Sequence, residues 1–205
     1  MPEPLKKSEV NASNDPTVFK QYDTKTPQSK QLSELYSQID KQSIGLLTTT
    51  RPNLGPVGRS MAIAKRNGPD LLFLANINSQ KFRDLESSTT VQFTLQDSTS
   101  QNWVSMTGTA VTFNNEDKRI GELYNGSIKA WFGDLGDGVH TGEPEDPRMA
   151  LIEVKVGYVV YWVSTVDEEG FKEEVGKAAE KGEVAQNGLL RELKAEALEE
   201  ARKKG

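Results

Sequence analysis

Apolar side chains first gather at helical spacing in residues 29–41, SKQLSELYSQIDK, where Leu32, Leu35, Tyr36 and Ile39 share one face. That stripe predicts a helix laid across a core. The period then shortens to two. Residues 43–50, SIGLLTTT, form a β-prone run ending in Arg51-Pro52-Asn53-Leu54-Gly55-Pro56, a turn set by two prolines and a glycine. The chain returns as 57–65, VGRSMAIAK, with Arg59, Met61 and Ile63 on one face and Ser60, Ala62 and Ala64 on the other. Asn67-Gly68 predicts a second hairpin, so the apolar run from Leu71 to Ala75 is expected to pair with the strand carrying Arg59 and Lys65.

Residues 89–96, 102–113 and 149–163 complete a set of six predicted strands. Gly108 interrupts the fifth and predicts a bulge or tight bend there. Along the last, Ile152, Val154, Val156, Tyr158, Val160 and Trp162 are expected to share one face. Short helices fill the interval, one burying Ile120, Leu123 and Tyr124, the next at 127–132. Strands in this succession close most economically into a small antiparallel barrel, which removes unpaired edges. The predicted class is mainly β (α+β). Residues 1–27 are polar and proline-rich and read as a flexible arm, 28–165 as the barrel domain, and 166–205 as a charged helical tail. Within that tail, 188–204 carries a thin stripe of Leu189, Leu190, Leu193, Ala197 and Ala201.

Composition narrows the chemistry. A net charge of −5 argues against a general nucleic-acid partner, which would meet a basic face. Cysteine is absent and His140 is the one histidine, which removes thiolate chemistry and sites needing two histidines. No apolar run is long enough to span a bilayer, and the first fifteen residues lack a signal-peptide core. The expectation is a soluble cytoplasmic protein that needs no membrane.

The stretch 71–85, LLFLANINSQKFRDL, runs from a buried strand through small polar residues into a helix. Unpaired first-turn amides and the helix dipole make such a junction receptive to anions. Ser79 adds a hydroxyl and Lys81 a cation. Arg59 is a natural further phosphate ligand, because a guanidinium fork matches phosphate oxygens. A plain capped helix and an edge-exposed arginine explain the same residues without a ligand. A triad through His140 lacks a strained nucleophile turn. The acids around it, Asp134, Asp137, Glu143, Glu145 and Asp146, lack the regular offsets of a metal cage and read as a solvated loop. Neither a dinucleotide fingerprint nor a P-loop occurs. Trp103, Trp131 and Trp162 would ordinarily be core, yet a planar ligand bearing a phosphate would use them together with the cradle.

Six segments, in order, carry a resemblance: Arg59-Ser60-Met61, FLANINSQK (73–81), WVSMTGTA (103–110), LYNGSIKAWFGDLG (123–136), DPRMALIEVKV (146–156) and YVVYW (158–162). The chain resembles the FMN-binding split-barrel proteins related to pyridoxamine 5′-phosphate oxidase, and within them the general-stress-protein branch with the blue-light-inducible Bli-3 proteins. The resemblance implies a six-stranded antiparallel split β-barrel with flanking helices. It also implies a homodimer with FMN in two clefts between subunits. Arg59, Ser79 and Lys81 would then hold the phosphate. The backbones of Ser60, Met61 and Ala62, with those of Leu74, Ala75 and Asn76, would border the ribityl chain and ring. Trp103 would approach from its strand, and Trp131 and Phe132 from the other subunit. Neither a catalytic residue nor a metal is assigned. The implied function is FMN binding, either in a flavin-dependent oxidoreductase or in a carrier, buffer or sensor. Two departures speak against oxidation of vitamin B6: Gln80 stands where the oxidase has a second basic residue, and an acidic tail replaces its substrate-gripping end.

Overall fold

The computed structural model describes residues 9–204. They form α1 (Pro16–Gln21), α2 (Gln28–Gln42), β1 (Ile44–Arg51), β2 (Gly55–Ala62), β3 (Lys65–Asn67), β4 (Asp70–Asn76), α3 (Gln80–Ser87), β5 (Thr90–Gln96) and β6 (Trp103–Phe113), followed by α4 (Arg119–Leu123), α5 (Gly126–Phe132), β7 (Met149–Ser164), α6 (Glu168–Lys181), β8 (Gly188–Leu193) and α7 (Ala195–Lys204). The strands make one antiparallel sheet in the order β2-β1-β5-β6-β7-β4-β3, with β8 added to β7. Among the described residues no helix is long and apolar enough to cross a membrane.

Eight strands stand where six were expected, for two reasons. The predicted strand 57–65 divides. Its first part, β2, pairs with β1 and sets Arg59 opposite Leu47, while Lys65 in β3 lies opposite Leu72 of β4. Arg59 therefore does not pair with β4, contrary to the hairpin reading. The partner changes between adjacent residues: the Ile63 amide donates to Ser43 O at 2.7 Å and the Ala64 amide to Leu72 O at 2.8 Å. Through this bend the two ends of the sheet become chain neighbours. The sheet curls back on itself without a closing ladder between β2 and β3.

The second extra strand comes from the tail. Residues 188–204 are not one helix but β8 followed by α7. The first half of β7 pairs with β4, and its second half, beyond the reach of β4, leaves an edge that 188–193 occupies. Gly188 rests against the Trp162 ring so closely that a Cβ would lie 2.2 Å from it, so no larger residue fits that rung.

Gly108 does mark a bulge. Thr107 faces Tyr158 while Gly108 faces Val156, which leaves Gly157 unpaired. A Cβ on Gly108 would sit 2.4 Å from Lys155 O. The extra residue flips the faces of β7. Before it, Ile152, Val154 and Val156 are buried; after it, Val159 and Tyr161 are, and Tyr158, Val160 and Trp162 are only half-buried. The single apolar face expected for this strand is thus split at Gly157.

The main core lies inside the curl, where Phe73 and Phe93 meet at 5.1 Å between ring centroids beneath Leu35 and Ile39 of α2. A smaller cluster forms on the other face of β4 and β7, where Leu72, Met149 and Leu151 pack with Ile120 of α4 and the half-buried Phe132 of α5. Burial on both faces explains why β4 reads as an unbroken apolar run.

The arm and the tail meet. Residues 1–8 of the predicted arm lie outside the described residues, and the remainder carries α1, capped by Asp15. Tyr22 bridges to Leu190 of β8, and Asp23 accepts from Arg191 at 2.8 Å. Arg191, 3% exposed, also pairs with Glu34 of α2. Arg202 of α7 clamps Asp70 at 2.7 Å, fastening the C-terminal helix to the start of β4.

Candidate functional site

Alternation along β1 turns Leu47, Thr49 and Arg51 to the same side, and α3 packs against that strand. Phe82 and Leu85 of α3 enter the core, and Asp84 between them is carried fully inside. An isolated buried carboxylate is costly, so its partners matter. Thr49 Oγ1 donates to Asp84 Oδ2 at 2.7 Å, Arg51 Nε to Oδ1 at 3.1 Å, Arg59 Nη2 to Oδ2 at 3.2 Å and Gln80 Nε2 to Oδ1 at 3.3 Å. Burial by itself would push the Asp84 carboxyl up. Hydrogen bonds from Arg51, Thr49 and Gln80 outweigh it and hold the group down at about 2.

Arg59 spans two strands. Its Nη1 donates to Thr49 Oγ1 at 2.7 Å and to Leu47 O at 3.3 Å. The side chain is 21% exposed, so it is neither a free edge arginine nor sealed from a ligand. Burial lowers its affinity for its proton, opposed by Asp84 and assisted by the like charge of Arg51.

At the N-terminus of α3, Ser79 occupies the cap position without using its hydroxyl as a cap. The hydroxyl donates to Asn76 O at 2.6 Å and accepts from Lys81 Nζ at 2.7 Å. Lys81 is pulled below the ordinary lysine value, first by burial and then by Arg59. Arg51 and Arg59 thus share one carboxylate, and Lys81, close enough to Arg59 to feel its charge, donates to Ser79; among the described residues no carboxylate other than Asp84 pairs with any of the three. Two more cations than carboxylates therefore stand near the N-terminus of a helix, where the dipole is positive and where, of the first-turn amides, that of Phe82 already donates to Ser79 O. The arrangement can receive a dianion.

The structure brings Arg59, Asn76, Ser79 and Lys81 together. The side chains of Ser60 and Ala62 project from the outer face of β2, opposite the exposed Leu46 and Ile44. Met61 packs half-buried on the main core, Ala75 is inside it, and Leu74 joins the smaller cluster. Trp103 is not at the cluster within one chain. It pairs with Gln96 and Trp162, five residues along β5 from Val91, which faces Thr49; that distance is roughly 17 Å. Trp131 on α5 is 86% exposed, and Phe132 lies under the Arg148 guanidinium. His140 bonds Asp137 at 2.6 Å, Asp146 is buried against Arg148, and among the described residues no acidic or histidine cluster could hold a metal.

Thr49, Arg51 and Asp84 were missed from sequence. The available signal was Arg51 two residues after a threonine on one strand face, and an aspartate on the inward side of a short helix. Two surface cavities lie away from the cluster. One of about 430 Å³ is lined by Tyr36, Arg66 and Lys204, and one of about 370 Å³ by Phe19, Tyr22 and Glu192.

Solved structures with the same fold include a general-stress-protein-26-related protein from Clostridium acetobutylicum, with TM-score 0.55 and 16% identity over 67% of this chain and 91% of that one. General stress protein 26 of Bacillus anthracis aligns with TM-score 0.54 and 23% identity over 64% and 92%. A pyridoxamine 5′-phosphate oxidase-related, FMN-binding protein from Nostoc punctiforme aligns with TM-score 0.52 and 11% identity over 72% and 95%. The architecture is that of a split-barrel protein. A family model described as pyridoxamine 5′-phosphate oxidase like matches residues 30–185. Protein bli-3 of Neurospora crassa is 36% identical over 186 residues, 89% of this chain and 88% of that one. This chain belongs to the pyridoxamine 5′-phosphate oxidase-like family.

Proposed function

We infer that this protein binds FMN, with Arg59, Ser79 and Lys81 receiving the phosphate. The observation that carries this reading is the excess of cations over Asp84 at the N-terminus of α3, which fits a phosphomonoester dianion and would be wasteful in a purely structural cluster. The family supports it, and the Nostoc relative is described as FMN-binding. Bound FMN would supply the electron-transfer chemistry; the chain would bind, orient and shield it.

The rest of the ligand needs apolar walls. Ile44 and Leu46 are 58% and 53% exposed on the outer face of the sheet beside Ser60 and Ala62, and Trp131 is more exposed still. Exposed apolar side chains such as the neighbouring Ile44 and Leu46 favour a partner, and a second copy of the chain is the economical one. A homodimer would also let Trp131 and Phe132 of one protomer reach the cleft of its partner.

Titration of the purified protein with FMN, followed by quenching of flavin fluorescence, tests this. Lys81→Ala should weaken binding about ten- to a hundredfold, the loss of one charge-assisted hydrogen bond. Equal affinity of wild type and variant would refute the assignment. Oxidation of NADH or NADPH by the loaded protein would then separate an oxidoreductase from a flavin carrier or sensor.

A further inference from the structure

We propose that Asp84 is a positioning residue for the anion site: a built-in counter-ion that holds Arg59 and Arg51 in a receiving posture without touching the ligand. The proposal rests on the FMN-binding reading and adds a residue to it. Three observations carry it. Asp84 is wholly buried, so it cannot contact a ligand that arrives from solvent. Both of its oxygens are taken, Oδ1 by Arg51 and Gln80 and Oδ2 by Thr49 and Arg59. And Thr49 bridges the pair, donating to Asp84 while accepting from Arg59, so the carboxylate holds the guanidinium both directly and through Thr49, beside its bond to Leu47 O.

Arg51 and Arg59 come from different strands and repel each other, and the shared carboxylate is what keeps both in place. Their side chains remain 31% and 21% exposed, enough surface for an incoming oxygen. Coulomb's law alone makes the opposite forecast. A carboxylate near an anion site repels the anion, and neutralising it would tighten binding. Orientation prevails here because Arg51, bonded to Asp84 through Nε and Nη2, swings to solvent when the carboxylate is neutralised and Arg59 loses its Nη2 bond, and the ligand must then order both again at its own cost.

The test compares wild type and Asp84→Asn with three probes: FMN, riboflavin and inorganic phosphate. The expected result is a loss of about tenfold or more for FMN and phosphate, with riboflavin changed by less than about twofold. A merely structural role would move FMN and riboflavin together. Unchanged or tighter FMN binding in Asp84→Asn overturns the proposal and leaves the flavin reading standing. Phosphate binding that falls in the variant, in a protein that takes up no FMN, supports the proposal and ends the flavin reading. Wild type that binds neither phosphate nor FMN overturns both. If Asp84→Asn fails to fold by circular dichroism, Thr49→Val decides: it keeps the volume and the charge but removes the bridge, and should weaken FMN severalfold and leave riboflavin unchanged. Equal loss of both ligands in Thr49→Val overturns the proposal.

Discussion

Arg59 and Asp84 meet at 3.2 Å across β1, a strand to which neither belongs. The first comes from β2 and the second from α3, and Thr49 of the intervening strand bonds both. The contact ties the edge of the sheet to the helix whose N-terminus would face the proposed phosphate. Fold stability and anion binding therefore share the same few side chains.

Acid should expose that sharing. Asp84 is held at about 2 despite burial, and Asp97 and Asp146 are held at about 2 by bonds led by Ser100 and Arg148 respectively. A carboxyl whose folded value lies below its unfolded value contributes stability that is complete above about pH 4 and is lost as pH falls toward 2. Urea unfolding between pH 5 and pH 2.5 should show a falling free energy, with a shallower fall in Asp84→Asn. A flat profile in wild type would contradict the assignment.

Gly108→Ala should cost about 1–3 kcal/mol, because its Cβ would press on Lys155 O at 2.4 Å, and backbone cannot step aside as a side-chain tip can. For a chain of this length that lowers the melting temperature by about 2–10 °C. Gly157→Ala on the facing strand has no such contact, its Cβ coming no nearer than 4.0 Å to Thr107 O, and is the matched control. Equal losses at the two positions would show that the close approach is not what matters.

Arg191→Met should loosen the N-terminal segment. The substitution leaves Asp23 and Glu34 without their shared cation, and breaking a buried pair costs about 3–5 kcal/mol. Amide hydrogen exchange should accelerate first in residues 16–26 and 188–193, while β5 and β6 stay protected. Uniform acceleration across the sheet would mean that Arg191 supports the whole fold and not this junction.

Much of the architecture was legible because it follows local rules. Alternation placed Arg59 and Met61 on one face of β2, which proves to be the inward one, Asn67-Gly68 located the β3–β4 hairpin, and Gly108 announced the bulge. What escaped depends on relations between distant segments. A two-residue change of partner at Ile63 and Ala64 has no period, so 57–65 read as one strand. The bulge residue Gly157 resets the facing of everything after it, which a uniform alternation cannot register. Leu189, Leu190 and Leu193 fit a helix stripe as well as a strand, and only the free edge of β7 decides between them. At the site, Ser79 and Lys81 announced themselves by position. Asp84 looked like an ordinary charged residue of a short helix, and Gln80, noted as a departure from the oxidase, proves to be one of its donors.

Whether the cations at the head of α3 hold the phosphate of FMN is decided by what the protein carries with it through a sizing column. The purified protein is mixed with FMN, passed through a sizing column, and its absorption spectrum recorded across the eluted peak, beside Lys81→Ala treated alike. The account expects a flavin spectrum that travels with wild-type protein at the volume of a dimer and is much reduced in the variant. A colourless wild-type peak, with all the flavin eluting as free small molecule, would contradict it.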